Sequence, residues 1–182
     1  MSDNRRIAIM GGSESGKTAL AIALSRGLWH RGKVRTLAFD PFKKKHRWEP
    51  QFVTDDFDQF ELVVFKVNGC AVFWDEGTST GGRDRDKVKF FTAIRHNHEF
   101  FAFIGHDYTT MLPIMRGSLT DVILFRQSES AAQYWSDLFT DKDILRTTQL
   151  EQYAAIHKRA FRPVRDLTFS KEEIESKEGV TL

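Results

Sequence analysis

Residues 9–18 read IMGGSESGKT, and the spacing Gly11-x-x-x-x-Gly16-Lys17-Thr18 is that of a phosphate-binding loop. A polyphosphate is best held by several backbone N–H groups at once, so the chain must wrap closely around it. Gly11, Gly12 and Gly16 allow that approach and positive φ angles, and Ser13, Glu14 and Ser15 supply the other amides of the cradle. A helix opening near Gly16 aims the positive end of its dipole at the phosphates. Lys17 adds a point charge for the β- and γ-phosphates, and the Thr18 hydroxyl is a ligand for Mg²⁺. The expected cofactors are therefore ATP and Mg²⁺.

Such a site needs its metal held from a second strand. The run CAVFWDE, Cys70 to Glu76, offers apolar residues followed by two acids. Asp75 is expected to hold Mg²⁺, mostly through water. Glu76 is expected to orient or deprotonate the water that attacks the γ-phosphate, so the paired acid points to hydrolysis rather than to binding alone. The chain lacks Asn-Lys-x-Asp, and DEGT is not Asp-x-x-Gly, which speaks against a GTPase.

The elements that must position these residues alternate along the chain. Apolar runs at Arg5–Met10, Lys33–Asp40, Cys70–Glu76, Phe100–His106 and Thr120–Gln127 read as five buried strands. Helical spacing follows the loop from Gly16 to Gly32. The stretch DDFDQFELVVFKVNG reads as helix or strand, with a helix opening at Asp55 or Asp56 favoured, and further helices are expected from Arg85 to Asn97, over TMLPIMRG, over ESAAQYWSDLF and briefly near Asp141–Gln149. Continuous apolar strands separated by helices imply a mainly parallel sheet covered on both faces, and right-handed crossovers make it a three-layer α/β/α sandwich. Sixteen phenylalanines predict an aromatic core.

At 182 residues the chain suffices for one such domain, expected over 1–168, with 169–182 as a tail or short helix. The single cysteine, Cys70, excludes an intrachain disulfide and favours a reducing, cytoplasmic setting. No stretch reads as a signal peptide or a membrane span. Net charge is only +2, but basic residues cluster at Lys43–Trp48, Gly81–Lys89 and His157–Arg165, where Trp48 or Phe161 is placed to pack on sugar or base. His96 and His98 stand close together, yet no other histidine or cysteine falls at ligand spacing, so a surface helix end is expected there rather than a metal site.

From Arg5 to about Phe139 the chain resembles the additional-strand, catalytic-Glu class of P-loop ATPases. More narrowly it resembles the HerA–FtsK group and, within it, the genome-packaging ATPases of tailless, membrane-containing viruses. The carrying stretches are GGSESGKT and VFWDE (Walker A and B), FDP after the second strand, IRHNHEFFAFIGHD and LPIMRGSLTDVILFR. The resemblance implies that Arg95-His96 matches the pair common after Walker B. It places His106 at a polar sensor position, where the group usually has Gln, and makes Arg116, after Leu112-Pro113, an arginine finger acting on the neighbouring subunit's nucleotide. The implied function is a ring-forming motor that hydrolyses ATP to translocate double-stranded DNA, without regard to sequence, into a preformed capsid. Its implied docking partner is a capsid or membrane vertex protein. Other readings are a nucleotide-gated assembly or export ATPase and a small nucleotide kinase with GGRDRDK as a thin lid.

Overall fold

The computed structural model describes residues 4–42, 48, 51–75, 86–111 and 113–182. Of the expected features, Glu76, Leu112, Lys43 to Arg47 and the Gly81–Arg85 part of the second basic cluster lie outside the described residues.

The apolar runs form strands because they have little polar surface to offer water on either side. In chain order the elements are β1 (Arg5–Met10), α1 (Lys17–Gly32), β2 (Thr36–Phe39), β3 (Gln51–Thr54), α2 (Phe57–Lys66), β4 (Ala71–Trp74), α3 (Asp86–Asn97), β5 (Phe100–Gly105), α4 (Pro113–Gly117), β6 (Asp121–Leu124), α5 (Glu129–Phe139), β7 (Ala154–Arg159), β8 (Arg165–Thr168) and α6 (Lys171–Glu175). Short 3₁₀ turns occupy Tyr108–Thr110 and Lys142–Gln149. Among the described residues the strands make one eight-stranded sheet in the order β3-β2-β4-β5-β1-β6-β7-β8. The first six of that order run parallel, β7 runs against them, and β8, antiparallel to β7, returns to their direction.

The five expected strands are present, β1 with the expected bounds and the other four shorter at their ends, and β3, β7 and β8 are additions that the apolar pattern did not announce. β3 is a four-residue strand at one edge of the order. β7, AAIHKR, carries three basic residues and reads as a surface cluster until its partners are seen.

Each face of the sheet has its own core. On one face Met10, Phe39, Trp74, Phe103 and Leu124 meet Phe60 of α2, Phe90 and Phe91 of α3, Met115 of α4 and Trp135 of α5. The rings of Phe39, Phe57, Phe60, Trp74 and Phe90 lie 4.9–6.0 Å apart, mostly tilted or edge-on. Each such pair adds about 1 kcal/mol beyond simple burial. On the other face Ile7, Ile9, Phe73, Ile104 and Phe125 pack on Leu20, Ala21 and Leu24 of α1.

The charged C-terminal stretch starts as α6, whose Ser170 and Glu173 form a reciprocal cap. It then lies along α1, where Val180 N donates to Ala23 O at 3.0 Å and Val180 and Leu182 pack against the α1-side core. This approach requires Gly27, because a Cβ there would stand 2.1 Å from the Val180 carbonyl oxygen.

His98 corrects the expectation of a surface helix end. His96 is exposed, but His98 is buried just past α3, accepting from Cys70 N at Nδ1 (3.3 Å) and donating from Nε2 to Val64 O (2.9 Å). It ties α2, β4 and α3 together, and burial pushes its imidazole pKa down. Among the described residues no cluster of three His, Cys, Asp or Glu side chains is arranged to hold a metal by itself. No helix among them is long and apolar enough to cross a membrane.

Candidate functional site

The carboxyl ends of the parallel strands are where the sheet can present a loop to a ligand. There, β1 leads at Met10 into the loop Gly11–Gly16, and α1 begins at Lys17. Gly16 sits at φ 104°, in the left-handed region, and turns the chain into the helix. Gly11 must be glycine for a different reason: a Cβ would come within 2.7 Å of Phe125 Cβ, at the end of the neighbouring β6. Glu14 also has a positive φ, 58°. The loop thus turns tightly, at a backbone cost of about 1–2 kcal/mol for the non-glycine residue.

The end of α1 that faces this loop has no side-chain cap and no acid in its first turn. Elsewhere the chain caps with care: Asp56 accepts from two amides of α2, Ser128 caps α5 and Ser170 caps α6. An uncapped helix start with glycine before it leaves amide hydrogens and a partial positive charge for an anion. Lys17 is buried, and its Nζ donates to Gly12 O at 2.6 Å, so its cation is held inside the loop rather than in solvent. The Ser15 hydroxyl oxygen is buried without a hydrogen-bond partner among the described residues.

An open cleft of about 630 Å³ lies over this loop. Ser13 to Ala19 form its floor, and His106, Phe42, Gln152 and Tyr153 its sides. His106 follows β5 directly, which is how the sheet brings it to the loop. Phe42 is positioned by Asp40, whose Oδ1 accepts from Phe42 N at 2.9 Å while Oδ2 accepts from Trp48 Nε1 at 3.0 Å. Tyr153 is half-exposed at φ 65° and lies 3.0 Å from where a Gly16 Cβ would stand, and Gln152 Nε2 donates to Glu14 O at 3.4 Å. None of Phe42, Gln152 and Tyr153 was expected from the sequence. A short chain-distant segment before β7 gives no motif, and only the fold brings it over the loop.

Asp75 follows β4 and is buried, with its N–H donating to Phe39 O at 3.0 Å. Strand β5 stands between β4 and β1, so Asp75 is two strands, about 10 Å, from the start of the loop. That separation suits a carboxylate that reaches a loop-bound cation through water, and a hydroxyl with a carboxylate forms the hard oxygen set that Mg²⁺ takes. Thr18 lies in the first turn of α1 and lines the same cleft.

Arg116 is not brought to the cleft of its own chain. It sits on α4 over the faces of Tyr134 and Tyr108, at 4.8 and 5.7 Å from the ring centroids, and the two rings stack on each other at 4.0 Å. Arg95 lies in the last turn of α3.

Two features of the basic clusters differ from expectation. Trp48 cannot offer a face to a nucleic acid: it is buried against Phe73 and bonded to Asp40. Within His157–Arg165, Lys158 is buried and bonded to Asp141 and to Arg162 O, and His157 is buried beside Asp121. Burial pushes the Asp121 carboxyl pKa up, but hydrogen bonds from His157, Arg5 and Thr120 with the Arg5 charge outweigh it and hold Asp121 well below the usual carboxylate range.

No family model matches the chain. No curated protein matches it either. Solved structures do. The genome packaging NTPase B204 from Sulfolobus turreted icosahedral virus 2, in complex with sulfate, superposes with a TM-score of 0.73 at 15% identity, covering 91% of this chain and 96% of that one. Its complex with AMPPCP gives 0.70 at 14% identity, over 91% and 97% of the two chains. The DNA-packaging ATPase B204 from Sulfolobus Turreted Icosahedral Virus gives 0.70 at 13%, over 93% and 100%. At these identities the likeness is one of fold, and over nine-tenths of its length this chain has the mixed α/β architecture of viral genome-packaging NTPases.

Proposed function

We propose that this chain is an ATP-hydrolysing motor of the HerA–FtsK group, built as a three-layer P-loop sandwich of the additional-strand, catalytic-Glu type, which drives viral double-stranded DNA into a preformed capsid as a ring. The observation that carries the reading is the glycine loop with the uncapped start of α1 and buried Lys17, two strands from buried Asp75, within a fold shared with packaging NTPases. The insertion of β5 between β1 and β4 supports the additional-strand class. The neighbouring structure with AMPPCP supports a nucleotide in the cleft.

In this reading Gly11, whose own N–H donates to Gly105 O, opens the loop, and the amides of Gly12 to Gly16 with the Lys17 ammonium take the β- and γ-phosphates. Thr18 and Asp75 hold Mg²⁺, which when bound neutralises charge building on the phosphates. Phe42 and Tyr153 flank the nucleobase at the rim of the cleft. Glu76, directly after Asp75, accepts a proton from water as its oxygen bonds to the γ-phosphorus and the bond to the ADP oxygen breaks. His106 hydrogen-bonds the γ-phosphate or that water. Arg116 stabilises the same charge on the neighbouring subunit's nucleotide, so hydrolysis waits for assembly.

The test is phosphate release by the purified chain with and without random-sequence duplex DNA at low salt. Hydrolysis stimulated by DNA is expected. Glu76→Gln should lower turnover about 100-fold or more while ATP still binds. Turnover that survives the substitution would remove Glu76 from its role. Hydrolysis indifferent to DNA would favour a nucleotide-gated assembly protein, and transfer of phosphate to a small acceptor would favour a kinase.

A further inference from the structure

The hairpin at the far end of the sheet carries an arrangement that the fold does not need. β7 ends at Arg159, paired with Asp121 at the start of β6, so the turn to β8 lies at the amino ends of the parallel strands, about 20 Å from the phosphate loop. In that turn Phe161 adopts φ 61° and is fully exposed (103%). An aromatic residue in the left-handed region, with its ring entirely in water, loses both backbone comfort and burial. Yet the turn is firmly made: Arg162 N donates to Arg159 O at 3.1 Å, and buried Lys158 donates to Arg162 O at 2.6 Å from beneath.

Behind the tip lies a polar recess of about 280 Å³, lined by Arg5, His157, Arg159, Arg162 and Arg165 together with Pro163 and Leu182. Three acids of the surrounding strands and turns are already engaged. Asp121 accepts from Arg5 and His157, Asp141 holds Lys158, and Asp166 pairs with Arg146 at 2.9 Å. Arg162 and Arg165 are exposed on the hairpin. The patch therefore combines a concentrated positive field, guanidinium forks suited to phosphate oxygens, and one projecting ring. A lipid surface would call for a broader apolar face than a single ring provides. A phosphodiester backbone asks for this combination, with phosphate in the recess and the ring against the sugar edge.

We propose that the β7–β8 turn, with Phe161 at its tip and Arg159, Arg162 and Arg165 around the recess behind it, is the surface that grips the backbone of double-stranded DNA. This rests on the reading of the chain as a DNA-translocating ATPase. It also assigns to one hairpin the contact that three basic clusters left open.

The experiment measures binding of the full chain to a fluorescent random-sequence duplex by anisotropy between 50 and 200 mM salt, beside hydrolysis without DNA. Arg162→Ala with Arg165→Ala should weaken binding tenfold or more and lower the log–log salt slope by about 1.8, or about 0.9 for each lost phosphate contact. Phe161→Ala should weaken binding several-fold and leave the slope alone. Lys66→Ala with Lys142→Ala, two exposed lysines elsewhere, should change neither. Unaltered hydrolysis without DNA and an unaltered melting temperature establish that each variant is folded. If the wild type binds duplex and the double arginine variant binds it equally with the same slope, the hairpin is not the contact, and the motor reading stands. If the wild type hydrolyses ATP but binds no duplex, the DNA part of the parent reading falls and takes this assignment with it. If the variants lose binding to phosphatidylserine vesicles while keeping duplex affinity, the surface belongs to a membrane and the assignment is overturned.

Discussion

Replacing Gly27 by alanine should destabilise the intact chain and stabilise a chain cut after Glu178. Gly27 is buried on α1, and a Cβ there would stand 2.1 Å from Val180 O and 3.0 Å from Val180 C. The obstacle is backbone, so no side-chain rotation relieves it, and the segment 179–182 must lift. Lifting forfeits the Val180 N to Ala23 O bond and the packing of two half-buried residues, Val180 and Leu182. These contacts are worth about 1 kcal/mol each, about 3 kcal/mol together at most. The freed segment regains chain entropy, which returns much of that sum. Alanine also favours the helix over glycine by about 1 kcal/mol. In the intact chain the clash should win by about 1 kcal/mol, a fall in Tm of about 2–4 °C. In the shortened chain only the helix preference remains, and Tm should rise by a similar amount. Differential scanning calorimetry on the four proteins closes the cycle. A substitution that raises Tm equally in both backgrounds would show that the terminal segment does not rest on α1 as described.

Tyr153→Ala should weaken nucleotide binding about tenfold, a loss comparable to removing one base-stacking ring; titration with a fluorescent ATP analogue measures it, and unchanged affinity removes Tyr153 from the base-flanking role. Arg116→Ala should cut hydrolysis about 1000-fold at concentrations where subunits assemble and leave a dilute monomer's slow rate unchanged, and equal loss in both would refute action in trans. His98 has a folded-state pKa below its unfolded value, so as pH falls below about 6.5 the unfolded chain takes up a proton that the folded chain refuses. Stability should therefore decline as pH falls below about 6.5, by at most about 1.4 kcal/mol per pH unit, and His98→Gln should flatten that part of the curve in pH-dependent urea melts.

The parts of this fold that sequence reveals are those governed by local rules. The strand, loop and helix around Gly11 to Thr18 were legible because that spacing of glycines presupposes a tight turn between a buried strand and a helix. The five parallel strands were legible because burial on both faces leaves an unbroken apolar run. β7 was hidden for the opposite reason. His157 and Lys158 look like solvent-facing charge, and become strand interior only because Asp121 and Asp141 arrive from elsewhere to meet them. Trp48 is similar: among basic neighbours it suggests a surface ring, while Asp40 eight residues earlier draws it inward. The walls of the cleft, Phe42 and Tyr153, belong to no motif, since their place depends on a turn and on a strand that closes the sheet more than a hundred residues later.

The outermost strand on the antiparallel side, β8, shows exposed Arg165, Asp166 and Thr168 along a run of only four residues. A short border of alternating charge is a poor template for another chain's backbone, because an incoming strand would have to crowd against charged side chains that stand in water. Copies of this molecule are thus discouraged from lengthening one another's sheets on that side. Any association there must be made by side chains, which leaves it reversible and open to adjustment by salt.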